Sequence, residues 1–188
     1  MSKARKRRMI VKIPEKYQWL LKEAHPRILT EMLFLYGTKE YQGEKHNPVI
    51  LDWANEIEEY VGIPYDADEI PWCGLIMGVC AKRAGFEPPH LCVRAKEWAH
   101  WGNMSSKPKL GDVLVFTRSG GNHVGLYIGE DKECFHVLGG NQSNEVNIMR
   151  ITRNRLAATR ECPWRFKKPN NLRSVILSEN GVLSENEA

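Results

Sequence analysis

One sulfur in this sequence sits where it can be made nucleophilic. Pro71-Trp72-Cys73-Gly74 lies where a loop turns into an apolar helix, which puts Cys73 in the first helical turn. Unpaired backbone N–H groups and the positive end of the helix dipole favour a thiolate there. The same N–H groups can receive the oxyanion that forms when the sulfur attacks a carbonyl. Gly74 leaves backbone room for a substrate beside it. The other four cysteines read as inert: Cys80 two turns into the helix, Cys92 in a loop, Cys134 and Cys162 in strands. No C-x-x-C pair occurs, so neither a disulfide framework nor a zinc site is indicated, and no metal or cofactor is expected.

A cysteine nucleophile needs a base within hydrogen-bond reach, and the base needs a group to orient it. His123 opens a strand directly after a Gly-Gly turn, a placement that stands its ring at a sheet edge facing a helix N-terminus. His136 lies on the next strand and is expected as a near cross-strand neighbour of His123. Asn141, after Gly139-Gly140, is a second side chain able to hold the imidazole. His25, His46, His90 and His100 fall in helix or loop with no such geometry.

The elements that must position these groups follow from periodicity. Residues 13–36 read as a helix through Tyr17, Leu20, Leu21, Ala24, Ile28 and Met32, broken or kinked at Pro26. After Gly37 and a polar loop through Asn47-Pro48, residues 49–61 read as a second amphipathic helix, with Ile50, Trp53, Ile57 and Tyr60 on one face. An acidic link leads to the apolar helix from about Trp72 to Ala84, stopped by Gly85. Then the period shortens: 113–116, 123–128, 134–138, 145–151 and 157–166 read as strands joined by turns. Helices first and consecutive hairpins second predict an α+β fold, with the N-terminal helices packed on an antiparallel sheet.

With 188 residues, 42% hydrophobic and 27% charged, the chain reads as one domain that needs no disulfides. No apolar run approaches the roughly 18 residues of a membrane span. The charge is segregated: residues 1–12 hold six Lys/Arg and no acid, while 13–169 balance to zero. A neutral body argues against a nucleic-acid groove built into the fold. The basic, flexible arm 1–12 suits anionic surfaces such as lipopolysaccharide or wall polymers. Only Met9–Val11 interrupts the arm's charge, too little for a signal peptide, so synthesis in the cytoplasm is expected. Residues 13–168 read as the catalytic domain, and 169–188, rich in Asn, Ser and Glu, as a polar, frayed tail. Monomer is the default.

Four segments carry a resemblance: Pro-Trp-Cys-Gly (71–74), Gly-Asp-Val-Leu-Val-Phe (111–116), Asn-His-Val-Gly-Leu-Tyr-Ile-Gly (122–129) and Leu-Gly-Gly-Asn-Gln-Ser (138–143). Together they resemble the NlpC-like and CHAP-type cysteine peptidases of the cell wall, most of all the compact branch found in phage endolysins. The lead-in Gly37-x-x-Glu40-x-x-Gly43-x-x-His46-Asn47-Pro48 is similar to that branch too, and the likeness covers roughly residues 15–168.

The resemblance implies a papain-like α+β fold and hydrolysis of amide bonds in peptidoglycan, by an endopeptidase or an N-acetylmuramoyl-L-alanine amidase. Cys73 would be the nucleophile and His123 the general base. The NlpC-like pattern selects His136 as the third residue, whereas the CHAP pattern selects Asn141. Trp72, Trp98, Trp101 and Tyr127 are candidates to stack on glycan or stem peptide, although core packing competes for Trp72. Asn122 and Gln142 are candidates to hold substrate amides. Glu40 and His46 receive no physical argument. An endolysin would reach the wall after a holin opens the membrane. An interbacterial amidase toxin, a thiol deamidase or acyltransferase acting on proteins, and a basic-armed binding module with an incidental cysteine are the rival expectations.

Overall fold

The structure, a computed structural model, describes residues 12–43, 45–164 and 168–184. The basic arm therefore lies, but for Lys12, outside the described residues. The expected first helix is two pieces: a 3-10 turn over Glu15–Leu21 and helix α1 over Arg27–Phe34. Pro26 caps the second piece, because it cannot donate into a helix and disfavours helical geometry at the residue before it. Helix α2, Pro48–Glu56, starts at Asn47, whose side chain accepts the Val49 N–H at 2.9 Å, with Pro48 at the position that needs no donor. The predicted single helix over 49–61 breaks at Ile57, and a short α3 follows over Glu58–Val61. Helix α4 runs Cys73–Ala84 and is buried from Cys73 through Ala81. Its end closes with the N–H groups of Gly85 and Phe86 on the carbonyls of Lys82 and Ala81.

The rest is an antiparallel sheet of six strands: β1 Asn103–Met104, β2 Val113–Arg118, β3 Gly121–Glu130, β4 Cys134–Gly139, β5 Asn147–Thr152 and β6 Leu156–Glu161. Their order is β1-β6-β2-β3-β4-β5. The chain is thus α+β, helices on one side of an antiparallel sheet. Alternation sorts the strands: Val113, Val115, Val124, Leu126, Ile128 and Leu138 join the helices in the main core. Leu114, Phe116, Tyr127, Phe135, Val137 and Ile151 form a second cluster on the opposite face.

The described part of the C-terminal segment is not frayed. The Glu130 N–H donates to the Val175 carbonyl, and the Leu177 and Ser184 N–H groups donate to the Glu130 and Arg150 carbonyls. Val175, Ile176, Leu177, Val182 and Leu183 supply the apolar content that a composition dominated by Asn, Ser and Glu conceals. Leu177 packs against the main core. Among the described residues no helix is long and apolar enough to cross a membrane.

Candidate active site

Cys73 is the first residue of α4, and no side-chain oxygen caps that helix start. The sulfur takes the place of a cap. The N–H groups of Cys73 itself, of Gly74 and of Val124 on β3 donate toward it, and the positive charge of Arg118 acts on it. Burial, the largest influence, nevertheless holds the thiol above its ordinary value. The sulfur therefore rests one residue from His123, in a nest of donors suited to an anion, yet protonated.

His123 is 1% exposed and Cys73 is 4% exposed. His123 Nε2 donates to Gln142 Oε1 at 3.1 Å. The tautomer follows from the Gln142 amide. Its nitrogen donates to the Asn147 carbonyl at 2.8 Å, to Asn147 Oδ1 at 3.0 Å and to the Val137 carbonyl at 3.2 Å. Asn147 Nδ2 donates in turn to the Gln142 carbonyl at 2.9 Å. With the nitrogen end so committed, only the oxygen can face His123. The proton then resides on Nε2, and Nδ1 is the basic nitrogen.

Gln142, expected as a substrate contact, is thus the group that orients the His123 ring. The strand register explains why His136 does not take that place. Leu126 faces Leu138 and His136 faces Gly129. Continuing the first pairing outward from Leu126 to His123 leads past the end of β4 to the loop at 141–142. His136 is buried far along the strand, with Tyr17 Oη on Nδ1 at 2.6 Å and Asp131 Oδ2 accepting from Nε2 at 2.8 Å. Asn141 sits in the loop with φ 55° and is 4% exposed, and its Oδ1 has no hydrogen-bond partner.

The aromatic candidates offer no face to a ligand. Trp98, in a 3-10 turn over Ala95–His100, and Trp101, the residue that caps its end, are buried and donate to the carbonyls of Cys92 and Glu87 at 2.8 Å each. Tyr127 is buried on the sheet's far face, its hydroxyl accepting from the Val175 N–H at 3.1 Å. Trp72 is buried against Trp53, its ring centroid 6.0 Å away. Asn122 is half-buried, and its Nδ2 donates to the Phe116 carbonyl at 3.3 Å. Gly74 is small for packing rather than for substrate: a Cβ there would come within 2.6 Å of the Val93 carbonyl oxygen. All five cysteines are buried free thiols.

The lead-in segment, left without a role by its sequence, frames the site. Trp72 Nε1 donates to Glu40 Oε1 at 2.7 Å, and the Glu40 N–H donates to the Asn144 carbonyl at 3.0 Å. Glu40 therefore ties the residue before Cys73 to the loop that carries Gln142. Gly140 of that loop crosses Trp72 so closely that a Cβ would lie 2.5 Å from the indole ring. A cleft of about 380 Å³ opens here, between residues 39–43, Glu69 and Ser143–Asn144. The Tyr65 hydroxyl donates to the Ile70 carbonyl at 2.7 Å, in the link that leads to Cys73.

His46, Asp68 and Glu69 bring ligand atoms within 4.8 Å of one another. The Asp68 oxygens are already committed. Oδ2 accepts the N–H groups of Asn47 at 2.7 Å and Tyr41 at 3.0 Å, and Oδ1 meets His46 Nδ1 at 3.0 Å. Burial pushes Asp68 up, but these donors outweigh it and hold the carboxyl below its ordinary value. The cluster pins the lead-in loop. No protein-family model matches the chain, and no curated protein matches it.

Proposed function

We propose that this chain is a papain-like cysteine hydrolase that cleaves an amide bond of peptidoglycan, as an endopeptidase or an N-acetylmuramoyl-L-alanine amidase. The observation that carries the reading is the sulfur at an uncapped helix start, receiving three backbone N–H groups one residue from a histidine whose tautomer is locked. The similarity of the four motifs to NlpC-like and CHAP-type enzymes supplies the substrate class.

The reaction is acyl transfer. At rest the pair is a buried thiol and a neutral imidazole. His123 Nδ1 takes the thiol proton as the sulfur attacks the scissile carbonyl, so the negative charge appears only as the S–C bond forms. The first-turn N–H groups hold the tetrahedral oxyanion, and Gln142 Oε1 accepts from the imidazolium that develops. His123 then protonates the leaving amine. Water, deprotonated by the same nitrogen, attacks the thioester carbonyl, and collapse returns the thiol. Each step requires no metal. Substrate approaches through the cleft beside Glu40 and Trp72. An endolysin made in the cytoplasm, freed by a holin and guided to anionic wall polymers by residues 1–12, fits this chemistry.

Digestion of purified sacculi by wild type and Cys73→Ala, with mass spectrometry of the products, tests it. Soluble muropeptides with a new amino terminus are expected from wild type only, and their masses name the bond. Sacculi left intact by folded wild type, or cut equally by Cys73→Ala, would sink the reading.

A further inference from the structure

Two of the charged groups around the cleft have partners of opposite sign. Lys39 Nζ lies 3.2 Å from Glu145 Oε2, and Glu69 Oε2 lies 3.1 Å from His46 Nδ1. Glu40 is different. Its partner is the neutral indole N–H of Trp72, and no cation pairs with it among the described residues. It is half-buried, and its charged form is disfavoured first by burial and then, despite the Trp72 hydrogen bond, by Asp68 and Glu69. A desolvated carboxylate without a counter-ion is costly in a resting protein. A bound cation would remove that cost.

The surroundings narrow the class of cation. A divalent metal seeks several oxygen ligands, and the nearest other carboxylates are committed to backbone N–H groups and to His46. The Glu40 carboxylate, with the neutral Gln42, Ser143 and Asn144 on the walls and with Lys39 and Glu69 held in their own ion pairs, matches instead the three donors of an ammonium group. The cleft's 380 Å³ falls within the range of pockets that take small branches of a larger ligand. We propose that this cleft is a subsite for a substrate arm bearing a primary ammonium group, with the Glu40 carboxylate as its counter-ion. The assignment rests on the peptidoglycan reading above, since stem peptides carry free amino groups.

The probe is one batch of purified sacculi, half left native and half N-acetylated with acetic anhydride, digested by wild type and by Glu40→Gln. The amide keeps an acceptor for Trp72 while removing the charge. Wild type is expected to digest native sacculi at least about tenfold faster, in kcat/KM, than acetylated ones, the worth of one charge-assisted hydrogen bond. Glu40→Gln is expected to bring that ratio near one. Acetylation makes the wall more anionic, so attraction of the basic arm would act in the opposite direction. Equal digestion of both preparations by wild type overturns the subsite and leaves the hydrolase intact. A ratio unchanged in folded Glu40→Gln overturns the assignment to Glu40. Should Glu40→Gln not fold, the wild-type ratio alone decides. Digestion of neither preparation by wild type overturns the hydrolase reading, and the subsite with it.

Discussion

Two buried histidines on neighbouring strands have opposite surroundings. His123 gives one nitrogen to a neutral amide, Gln142, and stands one residue from the sulfur's N–H donor on β3. His136 has both nitrogens engaged, by Tyr17 and Asp131, and Asp131 also takes Arg150 Nε at 2.7 Å and the N–H groups of Glu133 and Cys134 at 2.9 Å each. The second network links the N-terminal 3-10 turn, β4 and β5, and leaves no nitrogen to move a proton. Burial is common to both sites. What separates the two is the company each ring keeps: a neutral amide at His123, a phenol and an ion-paired carboxylate at His136.

That contrast can be broken at either end. The largest effect is expected at the sulfur: Cys73→Ala should lower kcat on sacculi by about four to six orders of magnitude with an unchanged melting curve. At the clamp the reverse is expected. Asp131→Ala strips a buried pair of one partner and should cost about 3 kcal/mol in denaturant unfolding. Its activity per folded molecule should stay near wild type; a large drop in kcat at full folding would make His136 catalytic after all.

Gln142→Ala sharpens the comparison. It removes a hydrogen bond to the imidazolium, and kcat should fall about ten- to a hundredfold while KM barely moves. The pH dependence of stability should follow the clamp. Burial is the main cause that drops His136 to about 4 from its ordinary 6.5, against the pull of Asp131. The folded state therefore binds fewer protons than the unfolded chain in that window. The stability it contributes is complete above about pH 6.5 and is lost as pH falls toward 4. Melting temperatures should trace this decline in wild type, and His136→Gln should flatten it. The smallest effect is expected at the tie across the site. Trp72→Phe should cost a few-fold in kcat, about the worth of one hydrogen bond, and adding it to Glu40→Ala should cost no more than Glu40→Ala alone.

Much of the scaffold was legible because local rules decided it. The apolar run ending at Gly85 fixed α4 to within a residue at its start, and short apolar runs between turns located five of the six strands. The two-residue β1 has too little length to show a period. The break at Ile57 and the short β1 answer to tertiary packing, which periodicity does not encode. Within the site, the position of Cys73 at a helix start was legible because helix starts carry a physical signature. Gln142 was misread because the β3–β4 register was not counted: the turn lies at 131–133, so the residues facing His123 fall beyond β4. Trp98 and Trp101 were candidates to stack on glycan or stem peptide, but both indole N–H groups point inward to carbonyls. Glu40 had no signal of its own, since its role appears only when residues 40, 72 and 144 meet.

The segment from Val175 to Ser184 also occupies Arg150 at the outer margin of β5, where the Arg150 N–H donates to the Val182 carbonyl. A bare margin of that kind invites a neighbouring molecule to add a strand. Trimming the chain before Val175 would uncover it, together with the apolar floor on which Leu177 rests, and self-association would then compete with folding at high concentration.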